Sequence, residues 1–498
     1  MTDKILGVYG LMTITLITVL LINQYRDKLT LKSSRAIIMV VTLFAVISNA
    51  HMFIENVTPA TGKTHLDSYV EAGTSYKRMT HTVLKYLDQV PGSQTKDFYR
   101  STNLTATSST RNSSMLLGYN DLSTFTSTLN GGIVNYNREM GNIDWNIVSI
   151  YSYNARTIMN ELASVRYLGV NKEKTGAVPF GYKLVFTKEG KKPKYIYENR
   201  YALPIGYTYD SVMPTSAAEK MKSVEKQDAT MQTALVDDQD AKKIPLKKVT
   251  TDSLSKSTKR LKISSISSGD IIMKDGLITI PEEGGKITFT FKGEDNAETY
   301  LGIRGDITAE KTAAEHFSKY KVVADDKNVN YSGKFRIDSY STGQKEYLMN
   351  LGYHKKGLTE CTLKFLGGAT ISYEDIAIYS QKMDRYPKQA AALKKNSLKN
   401  VRQGTNKISG EINCDQNKLL VITLPYQKGW TATVDGNKVP LFKANYQYMG
   451  LSLTPGHHKV VLQYQLPGLK LAFALTAAGT GIFLLIILVG FVVKRKRK

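Results

Sequence analysis

Cysteine is almost missing from this chain: only Cys361 and Cys414 occur in 498 residues. A secreted disulfide scaffold needs more, so the folded parts must hold together through ordinary apolar cores. Whether the two cysteines pair is left open, although they fall in different expected modules. Histidine is also sparse. His51, His65, His81, His316, His354, His457 and His458 are scattered, and none forms an HExxH pair or sits at helical ligand spacing with a second His or a Cys. There is no phosphate-binding P-loop, no Rossmann glycine pattern and no GxSxG elbow, which removes the usual signatures of nucleotide-dependent and serine-hydrolase chemistry. Acidic residues are the last shortage: 43 Asp and Glu face 67 Lys and Arg, for a net charge of +24.

Part of that surplus is topological. Ile5–Ile22, Ala36–Ile54 and Leu469–Val493 are apolar runs long enough to cross a bilayer. Arg26, Lys28, Lys32 and Arg35 lie between the first two runs, and Lys494–Lys498 is wholly basic. Cytoplasmic flanks collect Lys and Arg, so both clusters are expected inside, which places residues 55–468 outside. The first run lacks a small-x-small cleavage site before Asn23, so it is read as a span and not as a signal peptide. The positive charge that remains outside favours anionic partners: lipid head groups or phosphate-rich wall polymer. Nucleic acid is excluded by that location.

The expected fold class is a membrane-anchored α+β protein, with three transmembrane helices carrying a large extracytoplasmic region. Residues 1–54 hold two spans (5–22 and 36–54) and their basic cytoplasmic loop. Residues 55–213 mix helical patterns (Tyr76–Val90, Asn154–Leu168) with strand-like runs such as Tyr182–Thr187 and Tyr201–Tyr209, which predicts a mixed α/β domain. Residues 214–262 are expected as a helix (Ser216–Val236) and a polar, Lys-rich linker. Short β-rich runs separated by turn signals over 263–380 predict a jelly-roll-like β-sandwich. A connecting helix over 381–400 precedes a C-terminal β-sandwich over 401–468, then the span 469–493 and the basic cytoplasmic tail 494–498.

Few residues stand out as chemistry. Asp238-Gln239-Asp240 matches the bare DxD of sugar-nucleotide transferases, but in a polar stretch instead of at the end of a buried strand. Glu55 lies just beyond the second span, where a carboxylate can act as a general base toward a lipid-linked donor; a solvated interfacial acid is the plainer reading. Tyrosine is abundant, at 30 residues. Its clusters at Tyr195, Tyr197, Tyr201, Tyr207 and Tyr209, and at Tyr446 and Tyr448, can stack on sugars, yet strands use Tyr as ordinary packing. No catalytic, cofactor-binding or metal-binding residue is assigned, and no cofactor is expected.

The most ordered stretch is Leu419–Gly468. Trp430, Ala432 and Val434 alternate with Thr431 and Thr433, Asp435-Gly436 marks a tight hairpin, and Val460, Leu462 and Tyr464 share one side of a last strand. Trp430 is expected to be buried. Pro425-Tyr426, Lys428-Gly429-Trp430, Val434-Asp435-Gly436, Asn445, Met449-Gly450 and Pro455-Gly456-His457 resemble, in order, the C-terminal signature of the bacterial YfhO family. The resemblance extends back to about Phe98 (FYR, then GYNDLSTFTS).

That resemblance implies a relation to GT-C glycosyltransferases, membrane enzymes that move a sugar from a polyprenyl-phosphate carrier to an acceptor outside the membrane. For YfhO the implied acceptor is lipoteichoic acid or a related wall polymer. Such chemistry requires a carboxylate in an outer loop between early helices and a lipid-facing cavity made by many spans; with three expected spans and only Met1–Lys4 as outer tail, no catalytic residue is carried over. The expectation is therefore the outer domain and anchor of such an enzyme, either a piece of a longer protein or a member that borrows its catalytic half from a separate many-span protein. A membrane-anchored carbohydrate-binding or adhesive protein is the alternative. A receptor is disfavoured, since only the 26–35 loop and the tail face the cytoplasm.

Overall fold

Leu419–Ile422 explains the arrangement of the second half of the molecule, because this run is apolar at every position and buried on both sides. In the structure, a computed structural model, it forms the strand Lys418–Pro425. Leu420 and Ile422 point into one core, while Leu419 and Val421 point into another. The structure describes residues 71–496 apart from 108, 306–308, 311–316, 325–328 and 337–341, with scattered positions between 18 and 50. Residues 1–78 and 79–498 are separate units. The described positions from 36 to 50 are helical. Glu55 and most of the first two apolar runs lie outside the described residues.

The strand Lys418–Pro425 sits inside a seven-stranded sheet, ordered Lys247–Lys248, Ser211–Pro214, Ala234–Val236, Phe442–Ala444, Tyr448–Leu453, Lys418–Pro425, Gly206–Tyr209. Strands from 206–248 and from 418–453 thus share one sheet, and Leu420 lies opposite Thr208. Residues 401–468 do not close on themselves. Strand periodicity predicts each element, but it carries no information about pairing across 200 residues of chain. The core on one side of this sheet adds the helix Tyr386–Lys395 through Tyr386, Ala390 and Leu393. The core on the other side joins it to a five-stranded sheet, ordered Lys399–Gln403, Lys407–Cys414, Gly456–Tyr464, Trp430–Val434, Asn437–Val439. Asp435 and Gly436 both have positive φ (54° and 86°), as the tight hairpin requires.

Three sheets fill 258–382, ordered Thr258–Leu261, Asp375–Lys382, Ala297–Arg304, Glu346–His354; then Ile263–Ser267, Gly285–Phe291, Glu360–Phe365, Phe317–Ala324, Val329–Arg336; and Ile272–Lys274, Leu277–Ile280, Ala369–Ser372, Ala309–Glu310. They share a core built on Phe289, Phe291, Leu301, Met349 and Leu363. Arg100–Asn103 pairs in parallel with Val165–Asn171, beside the antiparallel strands Lys194–Asn199 and Tyr182–Lys188.

Several helical expectations resolve differently. Tyr76–Val90 is an α-helix over Thr74–Met79 and a 3₁₀ segment over Val83–Gln89. Asn154–Leu168 is helical only over Thr157–Leu162, since Ser164 takes a left-handed φ of 60° and releases the β-rich Val165–Asn171 into a strand. Ser216–Val236 splits into helices Thr215–Ala218 and Ser223–Thr230 and the strand Ala234–Val236. The linker expected after 236 instead carries the helix Asp238–Lys243 and the strand Thr258–Leu261.

Cys361 and Cys414 are both free and buried in different cores. Burial pushes the Cys361 thiol up to about 12 and the Cys414 thiol up to about 11. Because the thiolate is the reacting form, a disulfide-exchange reagent should titrate neither thiol in the native chain and both after unfolding. Rapid reaction of either in the native state would contradict their placement.

Among the described residues one helix, Leu469–Val493, is long and apolar enough to cross a membrane, and none of it is buried against the protein. It begins at Leu469, with four residues between it and the end of the strand Gly456–Tyr464.

Candidate anion-binding groove beside the membrane helix

Alternation along the strands of the five-stranded sheet separates core from groove. Ile408 and Ile412, with Val460 and Leu462, point inward, while Lys407, Ser409, Glu411, Lys459 and Val461 line the outer face. Lys96, Asn400 and Arg402 complete a depression of about 630 Å³. It meets a second depression of about 760 Å³ at Asp97, Asn400 and Val401. There the wall passes to Tyr99, Arg166, Glu198, Arg200, Lys394 and Lys399.

Three carboxylates line this groove, Asp97, Glu198 and Glu411, and Asp97 is exposed where the two depressions meet. Glu198 takes the Arg166 guanidinium at 2.8 Å, and Glu411 accepts from Asn400 Nδ2 at 2.9 Å. Burial pushes the Tyr99 phenol up, with Arg166 beside it opposing. Lys96, Arg200, Lys399, Arg402, Lys407 and Lys459 are exposed, and none of them is within an ion-pair distance of a described carboxylate. These six cations outnumber Asp97 and Glu411, the two groove carboxylates without a cationic partner among the described residues, and so attract an extended polyanion, which can place successive anionic groups against them. A third basic depression, of about 620 Å³ around Arg138, Lys222 and Lys226, is more internally balanced. Lys226 pairs with Glu139 at 2.6 Å, and Glu346 accepts from Ser223 N at 2.9 Å.

The residues singled out in the sequence lie elsewhere. Asp238 begins a helix and accepts from Ser216 N at 3.1 Å, a contact that holds its carboxyl below the usual range; Asp240 pairs with Lys243 at 3.1 Å. The DxD is thus bound up with its own loop and helix. His457 is exposed, but His458 is buried, with Nδ1 2.8 Å from Asp435 Oδ2. Tyr207, Tyr209, Tyr446 and Tyr448 are core residues and offer no ring face to a sugar, whereas Tyr195, Tyr197 and Tyr201 are half-buried. Trp430, expected to be buried, is half-buried with its ring 5.3 Å from that of Tyr464. Among the described residues, no group of three or more His, Cys, Asp or Glu is placed to hold a metal.

The groove residues were missed because they are isolated lysines and arginines on four different segments. Only the pattern Lys407-Ile408-Ser409-Gly410-Glu411 hinted that one face of this strand is polar.

These features define a β-rich protein with a membrane-length C-terminal helix and a basic groove. The chain belongs to the YfhO family: the family described as "Bacterial membrane protein YfhO" matches residues 2–476. One relative, "Uncharacterized protein YfhO" of Bacillus subtilis (strain 168), is 20% identical over 399 residues, which cover 78% of this chain and 42% of that protein. The chain thus spans less than half the length of that relative. Among solved structures, a mutant of the arabinofuranosyltransferase AftD from Mycobacteria aligns with 89% of this chain and 66% of its own at 8% identity and a TM-score of 0.32. The C-terminal CBM6 of LamC from Zobellia galactanivorans aligns with 25% of this chain and 99% of its own at 12% identity and a TM-score of 0.19.

Proposed function

We propose that this chain is the extracytoplasmic domain and membrane anchor of a YfhO-type, polyprenyl-phosphate-sugar-dependent glycosyltransferase that acts on lipoteichoic acid or a related anionic wall polymer. In this reading the groove holds the acceptor polymer close to the membrane, and the sugar-transferring half lies in a separate many-span partner or in a part of the protein beyond this chain. Three spans, with the 26–35 loop and the 494–498 tail inside, leave the groove outside, where such polymers are found. The observation that carries the reading is the set of six exposed cations without an ion pair among the described residues, Lys96, Arg200, Lys399, Arg402, Lys407 and Lys459, along one groove. Membership of a bacterial membrane-protein family and the shorter length relative to the B. subtilis protein support it.

The test uses the full chain in lipid nanodiscs and purified poly(glycerol phosphate). Binding should weaken as salt is raised, since exposed charges are screened beyond about 10 Å at 0.1 M salt. Charge reversal at Arg402→Glu, Lys407→Glu and Lys459→Glu together should lower affinity by about tenfold or more, equivalent to roughly 1.4 kcal/mol. A neutral glucan should not compete. Unchanged affinity in the triple variant would refute the groove as the acceptor site. Transfer of sugar from a polyprenyl-phosphate donor by this chain alone would refute the division of labour.

A further inference from the structure

We infer that the domain edge surrounding the start of the membrane helix lies flat on the same bilayer, with lipid head groups as its partner, and does not stand off on a flexible stalk. Three loops form this edge: Gln403–Lys407, Tyr426–Gly429 and Gln465–Gly468. They are tied to one another. Gln465 N donates to Gly429 O at 2.9 Å, and Tyr464 N donates to Asn406 O at 2.7 Å. Gly429 has a φ of 106°, and a Cβ there would lie 2.4 Å from Gln465 O and 3.1 Å from Pro467 Cδ, so only glycine permits this approach. Asn130 Nδ2 donates to Tyr426 O at 3.2 Å, fixing the middle loop to the domain body. The connection into the helix is held as well, by Leu469 N to Leu466 O at 3.2 Å and Ala472 N to Gly468 O at 2.8 Å.

The composition of this edge matches a membrane surface. Leu466 is 55% exposed and Tyr426 37% exposed, with the half-buried Trp430 and Tyr464 behind them. Lys407, Lys428 and Lys470 rim the edge, and no carboxylate occurs in the three loops. Amphipathic aromatics settle at the head-group level, and basic residues are drawn to anionic lipid. Leu466 is three residues from the first residue of the helix, so it lies within about 10 Å of it along the chain. The far end of the same sheet, the Asp435-Gly436 hairpin, points the other way: Trp430 pairs with Tyr464 and Val434 with Val460. This contact does not depend on what the groove binds. It does set the direction of the groove, whose Lys407 end then opens at the lipid surface, since Lys407 lies opposite Gln463.

Nitroxide labels at Leu466→Cys, Lys428→Cys and Asn437→Cys, each in the full chain in nanodiscs, test the contact. All three positions are exposed, so the labels leave the cores intact, and the native thiols are 1% and 4% exposed. Collision with lipid-soluble oxygen relative to a water-soluble nickel chelate should be several-fold greater at 466 and 428 than at 437. Replacing zwitterionic lipid with phosphatidylglycerol should further shield position 428 from the nickel chelate. Equal ratios at all three positions overturn the inference, and so does shielding at 437 in place of 428.

Discussion

Arg156→Ala should destabilise the folded domain by about 3–5 kcal/mol, the scale of removing one member of a buried charged network. Arg156 is fully buried. Its Nε and Nη2 donate to Gln227 Oε1 at 2.9 and 2.6 Å, and Nη1 donates to Met140 O at 2.5 Å. Gln227 Nε2 in turn donates to Gln381 Oε1 at 2.5 Å, so one guanidinium connects the helices Thr157–Leu162 and Ser223–Thr230 to the strand Asp375–Lys382. Beside it Glu298, also buried, accepts from Tyr300 OH at 2.5 Å and from the Thr157 hydroxyl. Burial lowers the Arg156 pKa and raises that of Glu298, and each charge partly offsets the shift of the other. Removing the arginine leaves a carboxyl without its counter-charge and two acceptors without donors. Denaturant unfolding followed by near-UV circular dichroism should show a lower midpoint at unchanged slope. A loss below about 1 kcal/mol, the scale of a single ordinary hydrogen bond, would show that this network does not hold the sheets together.

The second large effect concerns pH. Burial pushes the Glu161 carboxyl up to about 8, although Tyr386 OH and Asn199 Nδ2 donate to Oε2, both at 2.7 Å, and oppose the shift. Burial also pushes Asp121 up to about 7 and Asp144 up to about 6. A carboxyl whose pKa rises on folding keeps its proton in the native state where the unfolded chain has lost it. Its contribution is therefore fully present below the unfolded value and is lost as pH rises, here from 4.5 toward about 8 for Glu161. Each unit of separation is worth about 1.4 kcal/mol. Glu161→Gln keeps an acceptor oxygen for Tyr386 and Asn199 and carries no charge. The variant should match the parent near pH 5 and melt at a higher temperature by pH 8, with the gap growing between. Identical pH slopes for the two proteins would mean that the folded state accommodates an ionised Glu161.

Local chemistry was legible in the sequence wherever the pattern was short and repetitive. The Asp435-Gly436 hairpin, the alternation after Trp430 and the strand Lys418–Pro425 all follow from period and turn residues alone. Long-range pairing was not legible. Nothing in Gly206–Tyr209 announces Leu419–Ile422 as its partner, so a single sheet read as pieces of two domains. Tyr207 and Tyr209 are core residues, as ordinary strand packing predicts, but the helix Tyr386–Lys395 that shares their core comes from 180 residues away and could not be read from the strand itself. Ser164 hid the end of a helix, since its left-handed backbone has no glycine or asparagine to signal it. The groove was hidden for the same reason as the sheet: Lys96, Arg200, Arg402 and Lys459 meet only in the folded chain.

Hydrogen–deuterium exchange on the nanodisc-embedded chain, with and without poly(glycerol phosphate), tests most directly whether the groove holds an anionic polymer at the membrane. Polymer should slow exchange across Lys399–Gln403, Lys407–Cys414 and Gly456–Tyr464, strands whose outer face carries Arg402, Lys407 and Lys459. Slowing confined to the depression around Arg138, Lys222 and Lys226, or no slowing anywhere, would contradict the assignment of the groove.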